Sequence, residues 1–234
     1  MEFKIQKELF ESYPGFMAGV VVMKNGDNRG EALEITGLLR EIEQKQTEGL
    51  SGLETFNQHP QLAAWRAAYR KFGSDPHQYR CSAEALIRRV LKGDQIRHIN
   101  KLVDLYNYIS LKYVLPVGGE DLNMIKGDLI LGFADGAELF VRLGGTENEP
   151  PQPGEVVYKD EEGVACRRWN WREADKTKLT EETKNAIIVI EALLPATREI
   201  VEGATKDLVN LVKKYCHSEV IFYILDKEAQ SVKI

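Results

Sequence analysis

The chain has no apolar run long enough to span a bilayer, although 43% of its 234 residues are hydrophobic. The apolar run at residues 186–194, AIIVIEALL, is far shorter than the roughly 20 residues that a membrane-spanning helix needs. The first residues, MEFKIQKELF, contain interspersed charges in place of the apolar core of a signal peptide. We therefore expect a soluble cytoplasmic protein that does not contact a membrane.

Residues that hold metals, disulfides or nucleotides are also scarce or poorly spaced. The three cysteines are an odd number at wide intervals, which is typical of neither a disulfide framework nor a zinc site. The four histidines are dispersed, and none lies at the spacing of metal ligands. The glycine pairs at 118–119 and 144–145 lack the strand, loop and helix context of a phosphate-binding loop. We expect neither a metal ion nor a cofactor.

The charge is negative overall but unevenly distributed. A net charge of -5 argues against a protein that coats nucleic acid without specificity. Residues 60–126 contain eleven Lys or Arg against six Asp or Glu, an excess of about +5, whereas residues 127–165 contain two against nine, about -7. The basic segment either contacts a phosphate backbone or forms a solvated helical face, and the charge alone leaves both readings open.

Hydrophobic periodicity predicts blocks of helices and blocks of strands. The predicted helices are 29–48, 60–72, 83–91, 96–113, 180–194 and 196–215, with Ser82 and Thr180 as N-caps of the third and fifth. The predicted strands are 3–5, 16–23, 128–134, 137–143, 155–160, 164–171 and 219–225. Because the two types do not alternate, we predict an α+β fold, with a mixed or antiparallel β core packed by helices in one domain over residues 1–234.

The segment VACRRWNWRE at 164–173 combines two indoles, three guanidinium groups and a carboxylate. Alternation along a strand predicts two faces: Cys166, Arg168, Asn170 and Arg172 on one, and Arg167, Trp169, Trp171 and Glu173 on the other. Guanidinium groups bind phosphate or carboxylate, and indoles stack on bases, so the segment suits an RNA 3′ end or an acyl group. In the alternative reading, the indoles pack on a neighbouring helix and the arginines form structural ion pairs.

Four separated motifs resemble those of one known family. They are RHINKLVDLYNYISLKY at 97–113, LPVGGED at 115–121, IKG at 125–127 and LTEETKN at 179–185. Together they resemble the editing domain of the phenylalanyl-tRNA synthetase beta subunit, also called its tRNA-binding or B3/B4 domain, over about residues 79–194. The resemblance implies the layered fold of that domain, a tRNA partner and hydrolysis of tyrosine wrongly esterified to phenylalanine tRNA.

The same resemblance implies the positions of pocket residues. The family's pocket asparagine and proline fall on Asn107 and Pro116. The family's histidine falls on Gly118, a departure because a hydrogen atom cannot replace an imidazole. The family's threonine falls on Tyr106, which is another departure. Glu173 is the carboxylate nearest to the family's pocket glutamate. Tyrosine-specific editing by the same groups is therefore not implied.

We predict a domain that binds the aminoacyl end of tRNA and hydrolyses an incorrect ester in trans. Asn107 and Glu173 are the candidate catalytic residues, and Asp121 is a second candidate to orient the attacking water. The candidate substrate-binding residues are Tyr106, Pro116, Gly118, Asp121, Arg168, Asn170, Trp171 and Arg172. Two alternatives stay open: a non-catalytic RNA-binding module, and a protein that binds a free amino acid or nucleoside in the same pocket.

Overall fold

The structure, a computed structural model, describes residues 1–50, 56 and 58–234, which form two β-sheets and surrounding helices. The strands are β1 (Glu2–Ile5), β2 (Met17–Lys24), β3 (Val117–Asp121), β4 (Leu129–Phe133), β5 (Val156–Asp160), β6 (Gly163–Arg167), β7 (Arg172–Glu173), β8 (Ala186–Ala192), β9 (Glu219–Leu225) and β10 (Ser231–Lys233). The helices are α1 (Lys7–Ser12), α2 (Leu33–Gly49), α3 (Pro60–Lys71), α4 (Ser82–Leu91), α5 (Lys101–Tyr113) and α6 (Arg198–Cys216), with a short 3₁₀ turn at Leu122–Met124.

The two sheets differ in size and in strand direction. The larger has the order β10-β1-β4-β5-β6-β7, and within it only the β1–β4 pair is parallel. The smaller has the order β3-β8-β2-β9 and is antiparallel throughout. The prediction of an α+β fold with a mixed and antiparallel core is therefore confirmed. The prediction that residues 1–234 form one domain stays a prediction.

The smaller sheet is covered on both faces. On one face Val20, Val22 and Val189 belong to a core shared with the larger sheet and with α3 and α4. On the other face Val21 and Ile188 pack with residues of α5 and α6. Side chains alternate across a strand, so each strand of this sheet contributes to both cores. Within the described ranges, no helix has the length and apolar character needed to cross a bilayer.

The helix predicted at 180–194 is wrong. Residues 186–192 are the strand β8, which lies between β3 and β2 and is buried along its whole length. A strand buried on both faces reads as a continuous apolar run, which periodicity alone does not distinguish from a buried helix. The run of Ile187, Ile188, Val189 and Ile190 favours the strand because branched Cβ atoms fit a pleated surface. The preceding residues form a turn in which Thr183 Oγ1 accepts a hydrogen bond from the Thr180 amide.

Two further strand predictions fail in part. Residues 137–143 form no strand within the described chain, only isolated bridges at Val141 and Arg142. The strand predicted at 164–171 ends at Arg167, since Arg168 and Trp169 have φ angles of 48° and 66°, in the left-handed region that turns the chain. The alternating faces predicted for residues 166–173 are therefore wrong beyond Arg167.

The helix predicted at 83–91 begins one residue earlier than expected. Its N-cap is Cys81, and Ser82 is the first helical residue. The Ser82 hydroxyl makes no capping hydrogen bond, so the predicted cap is wrong and this side chain is available for another role.

Candidate functional site

A small cavity lies between the two sheets, beside the N-terminus of α4. Its volume is about 30 Å³, which is enough for one or two water molecules. Its apolar wall includes Leu129 and Val189, and its polar lining consists of Ser82, Glu120, Tyr158, Asn170, Glu173 and Glu191. Gly118, Ser82 and Glu173 are partly exposed, so the cavity opens on their side.

Strand register places two of the acidic residues on the inner face of the smaller sheet. Gly118 and Glu120 are two positions apart on β3, so they point the same way. Their partners on β8 are Val189 and Ile187, and Glu191 follows on that same face of β8. The third acidic residue, Glu173, comes from β7 of the larger sheet. Two sheets thus bring three carboxyl groups to one cavity.

Glu191 ends a chain of buried hydrogen bonds. Its Oε1 accepts from the Tyr158 hydroxyl at 2.6 Å, and its Oε2 accepts from Asn170 Nδ2 at 2.7 Å. Asn170 Oδ1 in turn accepts from the Tyr69 hydroxyl at 2.9 Å. Burial raises the pKa of Glu191 to about 7, despite the opposing effect of the bonds from Tyr158 and Asn170. Glu191 therefore titrates near neutral pH.

Glu120 and Glu173 form a carboxyl pair in the same cavity. Burial, followed by the negative charge of Glu173, raises the pKa of Glu120 well above its ordinary value. Burial also raises the pKa of Glu173. Two carboxyl groups in contact cannot both ionise at low cost, so they share a proton unless a cation replaces it. Among described residues no donor reaches Glu120 Oε2, Glu173 Oε2 or the Ser82 hydroxyl.

A basic groove of about 530 Å³ lies next to the cavity mouth. We define it by its lining residues: Gln78, Arg80, Ala85, Arg88, Arg89, Lys92, Asp94, Trp171 and Arg172. Five of these side chains are cationic and one is a carboxylate. The segments Arg80–Ser82 and Arg172–Glu173 each contribute to both the groove and the cavity mouth.

Aromatic and guanidinium groups stack beside this groove. The Tyr79 and Trp171 rings meet edge to face at 4.9 Å, and the Arg168 guanidinium lies 3.7 Å from the centre of the Tyr79 ring. The Arg172 guanidinium lies 5.1 Å from the centre of the Trp171 ring and is exposed. Trp171 is partly exposed, so one indole face of the predicted binding segment remains near solvent.

Three other members of that segment, Arg167, Arg168 and Trp169, have structural partners. Trp169 is fully buried and packs edge to face on Trp65 at 4.9 Å. Arg167 forms a bidentate ion pair with the buried Glu155, at 2.9 and 2.8 Å. Arg168 pairs with Glu155 at 3.3 Å and donates to Ser74 Oγ at 2.9 Å. For these residues the contacts are those of a core and of buried ion pairs.

The predicted site residues divide into three groups. Gly118, Asn170 and Glu173 line the cavity, and Trp171 and Arg172 line the basic groove. The remaining predicted residues, Tyr106, Asn107, Pro116, Asp121 and Arg168, line neither.

The residues of the third group differ in their distance from the cavity and in their partners. Tyr106 is near enough to the cavity to be affected by its charges. Burial is the main cause of the raised pKa of its hydroxyl, and the charges of Glu173 and Glu120 raise it further. Asn107 is buried on α5. The Asp121 carboxylate accepts from Thr183 Oγ1 at 2.7 Å and from a backbone amide, which occupies both of its oxygens.

Glu120, Tyr158 and Glu191 are cavity residues that the sequence prediction missed. Glu191 had a usable signal, since it is a single acidic residue inside the apolar run at 186–194. A charged side chain is almost never fully buried without a partner or a role. On a buried strand, a lone glutamate of this kind is a candidate site residue, whereas the predicted helix at 180–194 left it unnoticed. Glu120 gave no such signal, because it follows a glycine pair outside any predicted strand or helix.

Known proteins resemble this chain over most of its length. The B3/4 domain family model matches residues 64–217. The phenylalanine–tRNA ligase beta subunit of Ruegeria pomeroyi is 27% identical over 194 residues, which is 77% of this chain and 24% of that protein. An N-terminal fragment of the phenylalanyl-tRNA synthetase beta subunit from Pyrococcus horikoshii has a TM-score of 0.49 at 12% identity, over 96% of this chain and 54% of the fragment. The chain thus spans about a quarter of the length of the curated relative it matches.

Proposed function

The chain belongs to the B3/4 domain family, and from that premise we propose that it binds the aminoacyl 3′ end of tRNA and hydrolyses an incorrectly attached amino acid in trans. The observation that supports this most directly is the adjacency of two unlike sites. A basic groove with a stacking indole suits a polynucleotide end, and a small acidic cavity suits an acyl group. The segments Arg80–Ser82 and Arg172–Glu173 connect the two sites.

In this proposal the groove binds the terminal nucleotides. Arg80, Arg89 and Arg172 are positioned to contact phosphates, and guanidinium groups are well suited to that contact. Trp171 offers a ring face for the terminal base, since stacking tolerates any base and adds about 1–3 kcal/mol. Binding of this kind weakens steeply with salt.

In the proposed mechanism a general base at the mouth of the cavity activates the attacking water. Glu173 is partly exposed there, and its raised pKa brings it closer to the range in which a carboxylate is an effective general base. Glu173 accepts a proton from water while the water oxygen bonds to the ester carbonyl carbon. The ester C–O bond then breaks, and the proton passes to the departing ribose oxygen. The products are a free amino acid and an uncharged tRNA.

A panel of mischarged aminoacyl-tRNAs tests this function. We expect release of at least one amino acid above the uncatalysed rate, and Glu173→Gln should reduce that rate by about 100-fold or more. Glu41→Gln is the matched control because this carboxylate is exposed on α2. Asn107→Ala distinguishes a catalytic from a structural role of Asn107, since this residue is buried and does not line the cavity. Loss of hydrolysis without loss of stability would return Asn107 to the catalytic set.

One observation favours a second candidate, the non-catalytic RNA-binding module. The position expected to hold the family's histidine is Gly118, where even a Cβ atom would lie 3.1 Å from Glu173 Oε1. If wild-type protein binds tRNA in a salt-dependent manner and cleaves none of the esters, the module is the correct function. If no tRNA is bound either, both candidates fail.

A further inference from the structure

We propose that the cavity between the two sheets binds a primary ammonium group, with Glu120, Glu173 and Ser82 as its acceptors. An aminoacyl ester has a primary ammonium group, so this proposal deepens the proposed function. It rests on the proposed function only for the natural source of the amine. The strongest observation is a group of hydrogen-bond acceptors in the cavity lining that no donor from another described residue reaches. Glu120 is only 5% exposed, and its Oε2 has no donor among the residues that the structure describes.

The number of free acceptors matches the ligand. Glu120 Oε2, Glu173 Oε2 and Ser82 Oγ all belong to residues that line the cavity. Apart from the proton that the two carboxyl groups share, no donor within the described chain reaches them. A primary ammonium has three N–H donors and no acceptor. Leaving such acceptors buried and unsatisfied costs about 1–3 kcal/mol each, so a ligand that satisfies them binds favourably.

The charge of the cavity also calls for a cation. Its lining contains the three carboxyl groups of Glu120, Glu173 and Glu191 and no Lys or Arg. Lys176 is a cation that lowers the pKa of Glu120, but its Nζ is paired with Asp160 at 2.5 Å. The pair of Glu120 and Glu173 therefore holds a proton in the free protein. An ammonium ion in its place restores the charge balance and releases that proton.

The size of the cavity favours a compact cation. A volume of about 30 Å³ admits an ammonium group and a short stem, whereas a guanidinium or an aromatic ring needs more room. The walls are firm, because Tyr158 and Trp169 are buried and held by neighbouring rings. An ammonium group of this kind belongs either to the α-amine of an amino acid or to a basic side chain.

Calorimetric titration of the full chain with three small amides distinguishes these sources. Alaninamide has only an α-amine, Nα-acetyl-lysinamide has only a side-chain amine, and N-acetylalaninamide has neither. We expect one of the two amines to bind at least about tenfold more tightly than the neutral amide. Titration in two buffers of different ionisation enthalpy should show net proton release. The amine that binds identifies the source, and equal binding of all three amides overturns the proposal.

Variants of the acceptors complete the test. Glu120→Gln preserves the shape of the protonated side chain, so it should fold, yet it should weaken amine binding about tenfold or more and abolish proton release. Glu173→Gln should do the same, and Glu41→Gln, on the exposed face of α2, should change neither. A Glu120→Gln protein that melts normally and binds the amine with unchanged affinity refutes the assignment. Because these probes contain no tRNA and no ester, failure here is distinct from failure of tRNA deacylation.

Discussion

Replacing Glu191 with glutamine should change how the stability of the protein depends on pH. Glu191 is 2% exposed and accepts hydrogen bonds from Tyr158 and Asn170. Glutamine has the same shape and does not ionise. Its carbonyl oxygen can accept from Asn170 while its amide donates to the Tyr158 oxygen, so the substitution removes the charge with little change in packing. Any difference in pH dependence between the two proteins then reports the ionisation of this single group.

The size and sign of the effect follow from the shifted pKa. The pKa of Glu191 rises from an ordinary value of 4.5 to about 7, chiefly through burial. Between these values the folded state binds more protons than the unfolded state. The contribution of Glu191 to the free energy of unfolding is therefore fully present below pH 4.5 and is lost as pH rises through 7. The complete loss is about 3 kcal/mol, and between pH 5 and pH 8 it is about 2 to 3 kcal/mol.

Urea denaturation of both proteins at pH 5 and pH 8 provides the measurement. We expect the free energies of unfolding to be similar at pH 5, and Glu191→Gln to be more stable than wild type by about 2 to 3 kcal/mol at pH 8. Lowered-pKa carboxylates elsewhere affect both proteins equally and cancel in the difference. A difference that is the same at both pH values would refute the raised pKa, and a difference of opposite sign would mean that folding lowers the pKa of Glu191.

Five other substitutions separate structural roles from binding roles. Arg167→Met leaves Glu155 buried without its main partner, so the free energy of unfolding in urea should fall by about 3 kcal/mol. Arg172→Lys should change that free energy by less than about 0.5 kcal/mol but weaken tRNA binding in a filter assay. Trp169→Ala should cost about 3–5 kcal/mol in the same urea assay, whereas a Trp171→Ala protein should fold normally and lose the fluorescence change caused by an aminoacyl-adenosine analogue. Gly118→Ala should narrow the cavity mouth and slow deacylation about tenfold or more, with normal melting.

Elements whose apolar residues follow one clear period were predictable from the sequence. The stripe of Leu62, Trp65 and Tyr69 predicted α3, and all three side chains are buried. The same reasoning failed at β8, where both faces of the strand are covered and the alternation disappears. Burial on two faces depends on which elements pack around the strand, and a local pattern does not contain that information.

The candidate site was predictable only in part, for a related reason. Asn170 and Glu173 were proposed as site residues and do line the cavity, but the predicted grouping of side chains by strand alternation is wrong. The cause is the left-handed conformation of Arg168 and Trp169, which turns Trp169 into the core. Neither residue type favours positive φ, so no sequence signal marks this turn. Glu120 and Glu191 come together only through the β3–β8 pairing.

The acidic cavity is difficult to explain as a device for stability. The raised pKa of Glu191 alone corresponds to about 3 kcal/mol at alkaline pH, against a total of roughly 5–15 kcal/mol for a typical domain. Apolar residues at Glu120, Glu173 and Glu191 would avoid that cost, and departures of this kind are expected where a site has a function. A protein that contacted RNA only through the basic groove would have no use for these carboxyl groups. Binding of a cationic ligand between the sheets accounts for their number, their burial and the acceptors that no donor reaches in the described chain.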